Sequence, residues 1–310
     1  MPLILFAAPE LWPDYAGVLP AALAEAGVRG ARLVTATDRP EEVDYILHAP
    51  SAPLSDFRPF TRAKAVLSLW AGVERVVANP TLTQPLLRMV DPGLTEGMVE
   101  WVTGHVLRHH LGIDRHIVNP DRIWDPVGPP LARARPVAML GLGALGLAAA
   151  RALQALNFPL RGWSRTAKEI PGLATFHGED GLAEALREAQ IVVALLPRTA
   201  GTENILNARS LGLLPRGAVI LNPGRGALID EAALLAALDR GQVGHATLDT
   251  FRTEPLPPDH PFWHHPRVTV TPHVAAETRP STAARALAEN IRRGEAGERF
   301  LHVVDRARGY

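Results

Sequence analysis

Residues 137–153 read VAMLGLGALGLAAARAL, an apolar strand that runs into three glycines and then into a helix rich in Ala and Leu. The glycines follow the G-x-G-x-x-G spacing that allows a tight turn, a close approach of the backbone to a pyrophosphate, and close packing of helix on strand. The helix N-terminus faces the anion. We therefore predict a dinucleotide site with contacts at Gly141, Gly143, Ala144, Leu145 and Gly146. A tight turn without a ligand is the alternative.

Apolar runs alternate with helical patterns on both sides of this loop. Downstream, further strands are predicted at PLRGWS (159–164), IVVALLP (191–197), GAVILN (217–222), HATLDT (245–250) and RVTVTPH (267–273). With residues 137–141 they make a doubly wound sheet of six strands. Upstream, strands are predicted at residues 3–8, 31–36, 45–49 and 65–70. This alternation is typical of parallel α/β layers, so the predicted fold class is α/β with two doubly wound parallel-sheet domains.

A long helix and a proline-rich segment separate the two strand series. The helical pattern covers residues 97–117, and NPDRIWDPVGPPLARARP (119–136) follows it, whose prolines and glycine predict a protruding arm. A last helix at 281–293 is assigned back to the first domain. We predict a discontinuous, flavodoxin-like substrate domain at 1–100 and 280–310, and a Rossmann dinucleotide-binding domain at 101–279 that includes the helix and arm.

The composition excludes several classes of protein. Among the 310 residues, 32 basic side chains balance 32 acidic ones, so neither nucleic-acid nor membrane-surface binding is indicated. With no cysteine, disulfides, thiolate metal sites and cysteine nucleophiles are excluded. The start MPLILFAAPE lacks a basic region, and no apolar run approaches the length of a membrane span. We expect a cytoplasmic protein without a metal site.

The choice between NAD and NADP is expected at the end of the second strand of the dinucleotide domain. An NAD enzyme would place a carboxylate there to bind the ribose hydroxyls. This chain instead has Ser164, Arg165 and Thr166, a guanidinium between two hydroxyls that suits a ribose 2′-phosphate. NADP(H) is therefore the predicted cofactor, with NAD(H) still possible. The alternative is that Arg165 is a solvated surface charge.

Three ionisable residues follow three strands of this domain, at the edge where ligands bind in doubly wound sheets. Arg225 follows GAVILN, Glu254 follows HATLDT, and His273 ends RVTVTPH. An arginine can bind a substrate carboxylate, a histidine can protonate a carbonyl oxygen, and a nearby glutamate can keep the imidazole charged. We predict that these three form a catalytic site. Singly, each could be a surface charge, a loop acid or a core histidine.

The motifs GLGALG (141–146), LLPRTAGTENIL (195–206), NPGRGALIDEAAL (222–234), HATLDTFRTEPLP (245–257) and TPHVAAET (271–278) resemble the D-isomer-specific 2-hydroxyacid dehydrogenases. The resemblance covers nearly the whole chain, and by it Arg225, Glu254 and His273 match the family's catalytic residues. It also implies that Asp249 contacts the nicotinamide carboxamide, and that SLWAGVE (68–74) is the substrate loop. The remaining predicted cofactor contacts are Leu196, Pro197, Thr202, Pro223 and Gly224, and the predicted substrate contacts are Trp70, Ala71, Gly72, Arg225 and His273.

Within that family, WSR (163–165), LWAGVE (69–74) and VDRARGY (304–310) most resemble the bacterial glyoxylate and hydroxypyruvate reductases of the A type, which prefer NADPH. The resemblance implies an NADPH-dependent reductase of small 2-oxo acids, with His273 as general acid. It also implies that the arm bearing Trp124 reaches a partner subunit, and we expect a homodimer with the helix at 97–117 in its interface. Alternatives are a dehydrogenase for a bulkier 2-oxo acid and a non-catalytic nucleotide sensor. His264 and His265 are expected to be surface residues.

Overall fold

A computed structural model of the chain describes residues 1–309 and divides the chain into two units. The first unit comprises Met1–Leu94 and Glu277–Tyr310, and the second comprises Thr95–Ala276. The sequence prediction places these boundaries at 100/101 and 279/280. The last residue of the predicted first domain, Tyr310, lies outside the described residues. Since the chain crosses between the units twice, the first unit is built from both ends of the chain.

The strands of the described residues belong to two sheets. The first sheet contains β1 (Leu3–Phe6), β2 (Arg32–Val34), β3 (Tyr45–His48), β4 (Ala65–Ser68) and β5 (Leu86–Leu87). The second contains β6 (Val137–Leu140), β7 (Leu160–Ser164), β8 (Ala174–His177), β9 (Ile191–Ala194), β10 (Ala218–Asn222), β11 (Val243–Leu248) and β12 (Val268–Val270).

The α-helices connect these strands. They are α1 (Trp12–Tyr15), α2 (Leu19–Glu25), α3 (Glu74–Val77), α4 (Pro92–Leu111), α5 (Asp114–Ile117), α6 (Ala144–Ala155), α7 (Gly178–Arg187), α8 (Ala208–Gly212), α9 (Glu231–Asp239) and α10 (Pro280–Glu295). None of those described is long and apolar enough to cross a membrane.

Both sheets are parallel and doubly wound, which confirms the predicted fold class. The first has the order β2-β1-β3-β4-β5, the flavodoxin-like arrangement. The second has the order β12-β11-β10-β9-β6-β7-β8, which is the Rossmann arrangement extended by one strand. Each sheet has one buried apolar cluster on each of its two faces. The central strands are therefore buried on both sides, which explains their continuous apolar sequences.

The second sheet has seven described strands where the sequence predicts six. The strand missed is β8, an edge strand whose four residues are exposed or only partly buried. Such a strand lacks the apolar run by which its neighbours are recognised. In the first sheet β5 was also missed, since it has only two residues.

The long helix α4 has different ends from those predicted. It begins at Pro92 instead of residue 97, because the Asp91 carboxylate accepts the N–H of Leu94 at 3.2 Å and proline suits the first helical position. It ends at Leu111 instead of residue 117. Gly112 has a φ of +63° and terminates the helix before the short α5 begins.

Candidate active site

The glycine loop lies between β6 and α6, next to the point where the order of the second sheet reverses. A Cβ on Gly141 would lie 2.4 Å from the carbonyl oxygen of Leu195, and one on Gly146 would lie 1.9 Å from that of Gly141. Both glycines are thus required by packing. Gly143 is the exposed N-cap residue of α6, and a Cβ on it would meet nothing within 4 Å. The N-terminus of α6 therefore has no side-chain cap from this residue. This open backbone at a helix N-terminus fits the pyrophosphate of a dinucleotide.

The loop after β9 packs beside the glycine loop. The buried side chain of Leu196 would lie 3.3 Å from a Cβ on Gly141. The hydroxyl of Thr202 donates to the carbonyl of Pro197 at 2.7 Å and accepts the N–H of Thr199 at 2.9 Å. These bonds fold residues 197–202 into a closed turn. The predicted cofactor contacts at Leu196, Pro197 and Thr202 therefore lie on a hydrogen-bonded loop at the same edge of the sheet.

The end of β7 carries the residues predicted to select NADP. Arg165 and Thr166 are exposed, as contact with a phosphate requires. Ser164 is buried, and its hydroxyl donates to the carbonyl of Thr166 at 2.8 Å, so it shapes the turn. Sequence reasoning missed Lys168, whose ammonium donates to the carbonyl of Leu142 in the glycine loop at 2.7 Å.

The turn after β10 orients Arg225. The buried side chain of Asn222 accepts the N–H of Gly224 at 3.2 Å and donates to the carbonyl of Arg225 at 2.9 Å. Pro223 is buried between them. A Cβ on Gly226 would lie 2.0 Å from the carbonyl carbon of Phe251, so only glycine lets this turn pack against the loop after β11. Asn222 is a second residue that sequence reasoning missed, although it ends an apolar strand as a lone polar residue.

The structure brings the three predicted catalytic residues together. The Nδ1 atom of His273 lies 2.8 Å from Oε2 of Glu254. The other carboxylate oxygen of Glu254 accepts the N–H of Phe251 at 2.8 Å. Arg225 donates from Nη1 to the carbonyl of Gly224 at 2.7 Å, and its charge acts on both Glu254 and His273. A guanidinium and a carboxylate-bound imidazole therefore share one site.

The charges of this site favour a protonated histidine. The hydrogen bond that His273 donates to Glu254 raises the pKa of His273. Burial and the charge of Arg225 oppose this, while the charges of Glu254 and Asp249 support it. Burial raises the pKa of Glu254, but the bonds from His273 and Phe251 N–H, together with the charges of His273 and Arg225, hold it below its usual value. Near neutral pH the pair therefore favours an imidazolium beside a carboxylate.

Asp249, the predicted nicotinamide contact, is completely buried at the end of β11. Its Oδ1 accepts the hydroxyl of Thr271 at 2.6 Å and the N–H of Val274 at 3.0 Å, and its Oδ2 accepts the N–H of Ala275 at 3.0 Å. This carboxylate therefore binds groups that precede and follow His273 in the chain. Its contact with a nicotinamide stays a prediction.

The predicted substrate loop belongs to the first unit, where it follows β4. Trp70 is exposed, and its backbone exchanges hydrogen bonds with the hydroxyl of Ser68, at 2.8 and 3.1 Å. Ala71 and Gly72 are partly exposed. Within residues 1–309, the N–H groups of Ala71 and Gly72 donate no hydrogen bond in this turn. Substrate binding by these three residues stays a prediction.

The sequence also singled out His264, His265 and Trp124. His264 is exposed as expected, but the side chain of His265 is only 13% exposed, and its ring lies 3.4 Å from Asp239. Across the described part of the chain no group of His, Cys, Asp and Glu residues is arranged to hold a metal ion. Trp124 lies in the arm and is 92% exposed.

Comparison with known proteins identifies the chain's relatives. A family model described as "D-isomer specific 2-hydroxyacid dehydrogenase, NAD binding domain" matches residues 106–275, more than half of the chain. This match includes the glycine loop and all three catalytic candidates.

Three solved structures resemble the whole chain. A D-isomer-specific 2-hydroxyacid dehydrogenase from Xanthobacter autotrophicus Py2, in complex with NADPH and MES, is 40% identical with a TM-score of 0.91. An NADPH-dependent glyoxylate/hydroxypyruvate reductase from Sinorhizobium meliloti, in complex with NADP and sulfate, is 36% identical with a TM-score of 0.84. A probable 2-hydroxyacid dehydrogenase from Rhizobium etli CFN 42, in complex with NADP, HEPES and L(+)-tartaric acid, is 33% identical with a TM-score of 0.87. Each match covers 100% of this chain and 99% of the other.

Proposed function

We propose that this chain, which belongs to the D-isomer-specific 2-hydroxyacid dehydrogenase family, is an NADPH-dependent reductase of small 2-oxo acids such as glyoxylate and hydroxypyruvate. Its products would be glycolate and the D-2-hydroxy acids. Members of this family are oxidoreductases acting on CH–OH groups. The observation that carries the proposal is the 2.8 Å bond between His273 and Glu254, beside Arg225.

Each of the three residues has one task in this proposal. The guanidinium of Arg225 binds the substrate carboxylate, for which its planar pair of donors is suited. Glu254 holds Nδ1 of His273 and keeps the ring charged, which leaves Nε2 to donate its proton to the substrate oxygen as that oxygen becomes a hydroxyl. When bound, the reduced nicotinamide supplies the hydride.

The cofactor preference rests on residues at two loops. The uncapped N-terminus of α6 at Gly143 would hold the pyrophosphate. Exposed Arg165 would bind the 2′-phosphate, in a turn that Ser164 holds through its bond to the carbonyl of Thr166. The NADPH and NADP complexes of similar proteins support this choice.

The proposal is tested by following the absorbance of NADPH with a panel of 2-oxo acids. We expect oxidation with glyoxylate and hydroxypyruvate, slower oxidation with branched or aromatic 2-oxo acids, and a weaker response with NADH. A His273→Gln variant should lose most of its turnover while NADPH binding, measured by fluorescence titration, is retained. If NADPH binds but no 2-oxo acid is reduced, the chain is a nucleotide-binding protein and the proposal is wrong. Faster reduction of bulky acids would instead favour a dehydrogenase for those substrates.

We also propose that two copies of the chain form a homodimer through the arm. The arm exposes Ile123, Trp124, Val127 and Leu131, each by 65% or more, which is unusual for large apolar side chains. Light scattering should give twice the chain mass for the wild type and a lower mass for Trp124→Ser. Trp263→Ser, at an exposed tryptophan outside the arm, is the control. The cytoplasmic location stays a prediction of the sequence.

A further inference from the structure

His273 has an unusual backbone conformation. Its φ is +55°, in the left-handed region that glycine adopts easily and that costs other residues about 1–2 kcal/mol. Its N–H donates to the carbonyl of Asp249 at 2.8 Å and to that of Thr271 at 3.0 Å. Glu254 holds only the imidazole ring. The backbone beneath the ring must therefore be held by other groups.

The groups that hold it converge on one buried carboxylate. Asp249 is 0% exposed, and burying an ionised carboxylate is costly unless hydrogen bonds compensate it. Three donors do so: the hydroxyl of Thr271 at 2.6 Å, and the N–H groups of Val274 and Ala275 at 3.0 Å each. One donor precedes His273 in the chain and two follow it. The carboxylate thus closes a loop of which His273 is the middle.

We propose that Asp249 and Thr271 are positioning residues for the proton donor: their hydrogen bond holds the 271–275 loop in the one backbone conformation that presents the His273 ring to the substrate. This inference rests on the proposed function and deepens it. Glu254 sets the rotation of the ring, whereas Asp249 and Thr271 set the position of its Cα. A displacement of about 1 Å at a reacting group can cost about 100-fold in rate, so the second constraint matters as much as the first.

The chain offers a closely matched control for Thr271. Thr269 lies two residues earlier and is similarly half-buried. Its hydroxyl is hydrogen-bonded to Nε2 of His245 at 2.9 Å and not to Asp249. Replacing either threonine by valine removes one hydroxyl and preserves the branched shape. Only Thr271→Val removes a bond to the carboxylate of the loop.

In the activity assay, we expect Thr271→Val to lower kcat about tenfold, with the Kd for NADPH changed less than twofold. Thr271→Ser keeps the hydroxyl and should recover at least half of the wild-type kcat. Thr269→Val should retain the wild-type kcat. Equal kcat losses in the two valine variants, or a loss of NADPH affinity in Thr271→Val as large as its loss of kcat, would overturn the inference.

A second measurement does not depend on turnover. Amide hydrogen exchange should be faster at Val274 and Ala275 in Thr271→Val than in the wild type, and unchanged there in Thr269→Val. If the wild type reduces no 2-oxo acid, the proposed function fails while this exchange result still decides whether the bond holds the loop. Unchanged exchange at both amides in Thr271→Val would show that it does not.

The charge of Asp249 adds a signature that a purely structural bond lacks. The charged groups that act on His273 are Glu254, Asp249 and Arg225, and the charge of Asp249 also acts on His105 of α4. The Asp249 charge raises the pKa of His273. Asp249→Asn should therefore move the alkaline limit of kcat/KM to lower pH, while Thr271→Val, which keeps the charge, should leave that limit in place. A shift in Thr271→Val as large as that in Asp249→Asn would contradict the assignment.

Discussion

Replacing Glu254 by Gln tests whether its carboxylate keeps His273 protonated for donation. Among residues 1–309, Oε2 of Glu254 contacts Nδ1 of His273 and Oε1 accepts the N–H of Phe251, both at 2.8 Å. A glutamine side chain has no charge and one acceptor oxygen, and when that oxygen accepts the N–H of Phe251 its amide N–H can donate only to a neutral Nδ1 of His273. The variant therefore loses the charge-assisted bond and favours the neutral imidazole over the imidazolium.

The size of the pH-dependent loss follows from the bond that is weakened. A hydrogen bond to a charged group contributes about 1.5–3 kcal/mol and a neutral one about 1 kcal/mol. The side chain of His273 is 49% exposed, so water screens part of this difference. We therefore take the difference as about 1 kcal/mol, which corresponds to about a fivefold change in a rate or equilibrium constant.

The sign of the pH effect is determined by the raised pKa of His273. Reduction needs the imidazolium, so kcat/KM falls as the pH rises through that pKa. Without the carboxylate the pKa is lower, and the fall begins at lower pH. The ratio of wild-type to Glu254→Gln kcat/KM for glyoxylate should therefore grow about fivefold from about pH 5.5 to pH 9.

The control is Glu179→Gln, which makes the same chemical change at an exposed glutamate of α7 paired with Arg209. Its ratio to the wild type should be constant across the pH range. A ratio for Glu254→Gln that is also independent of pH would refute the claim that this carboxylate tunes the proton donor, even if the variant is slow.

Three further outcomes are expected. Arg225→Lys loses the planar pair of donors, so KM for glyoxylate should rise at least tenfold while the Kd for NADPH is unchanged; an unchanged KM would exclude Arg225 as the carboxylate ligand. Arg165→Ala should raise KM for NADPH about tenfold and leave KM for NADH unaltered, and a parallel rise for both cofactors would contradict a 2′-phosphate contact. Burial lowers the pKa of His109 to about 3 and that of His245 to about 4. As the pH falls below about 6.5, these two histidines are therefore protonated in the unfolded chain but stay neutral in the folded chain. Stability should therefore fall as pH drops below about 6.5, by about 2 kcal/mol per histidine at pH 5. In urea unfolding, His245→Gln should reduce that acid loss, and an identical pH dependence would show that His245 is protonated in the folded state.

Short-range patterns predicted the parts of the fold that depend on neighbours in the chain. The glycine loop was located because its three glycines serve a local strand-to-helix turn. The start of α4 was missed although its signal is also local: Asp91 followed by Pro92 is an N-cap followed by a first-turn proline. The edge strand β8 could not be recognised in this way, because its residues are exposed or partly buried and carry no apolar period.

At the site, residue type and strand order were enough to select Arg225, Glu254 and His273, since the carboxyl ends of parallel strands meet at one edge of a sheet. The sequence did not indicate the hydrogen bonds by which Asn222 and Thr271 hold their turns. Threonine and asparagine are common at strand ends, and nothing nearby in the chain identifies their partners. Those partners come from other turns: Asp249 binds Thr271 from 22 positions away.

The order of residues along the chain is therefore sufficient for the fold class and for proposing the dinucleotide loop and the candidate site residues, because each depends on local conformation or on the order of parallel strands. Only the folded chain decides that Asp249 is buried beneath the His273 loop, that Gly226 lies against Phe251, and that His273 takes a left-handed conformation. These features arise where separate loops meet, and the hydrogen bonds and close approaches there depend on distances of a few tenths of an ångström that no local pattern encodes.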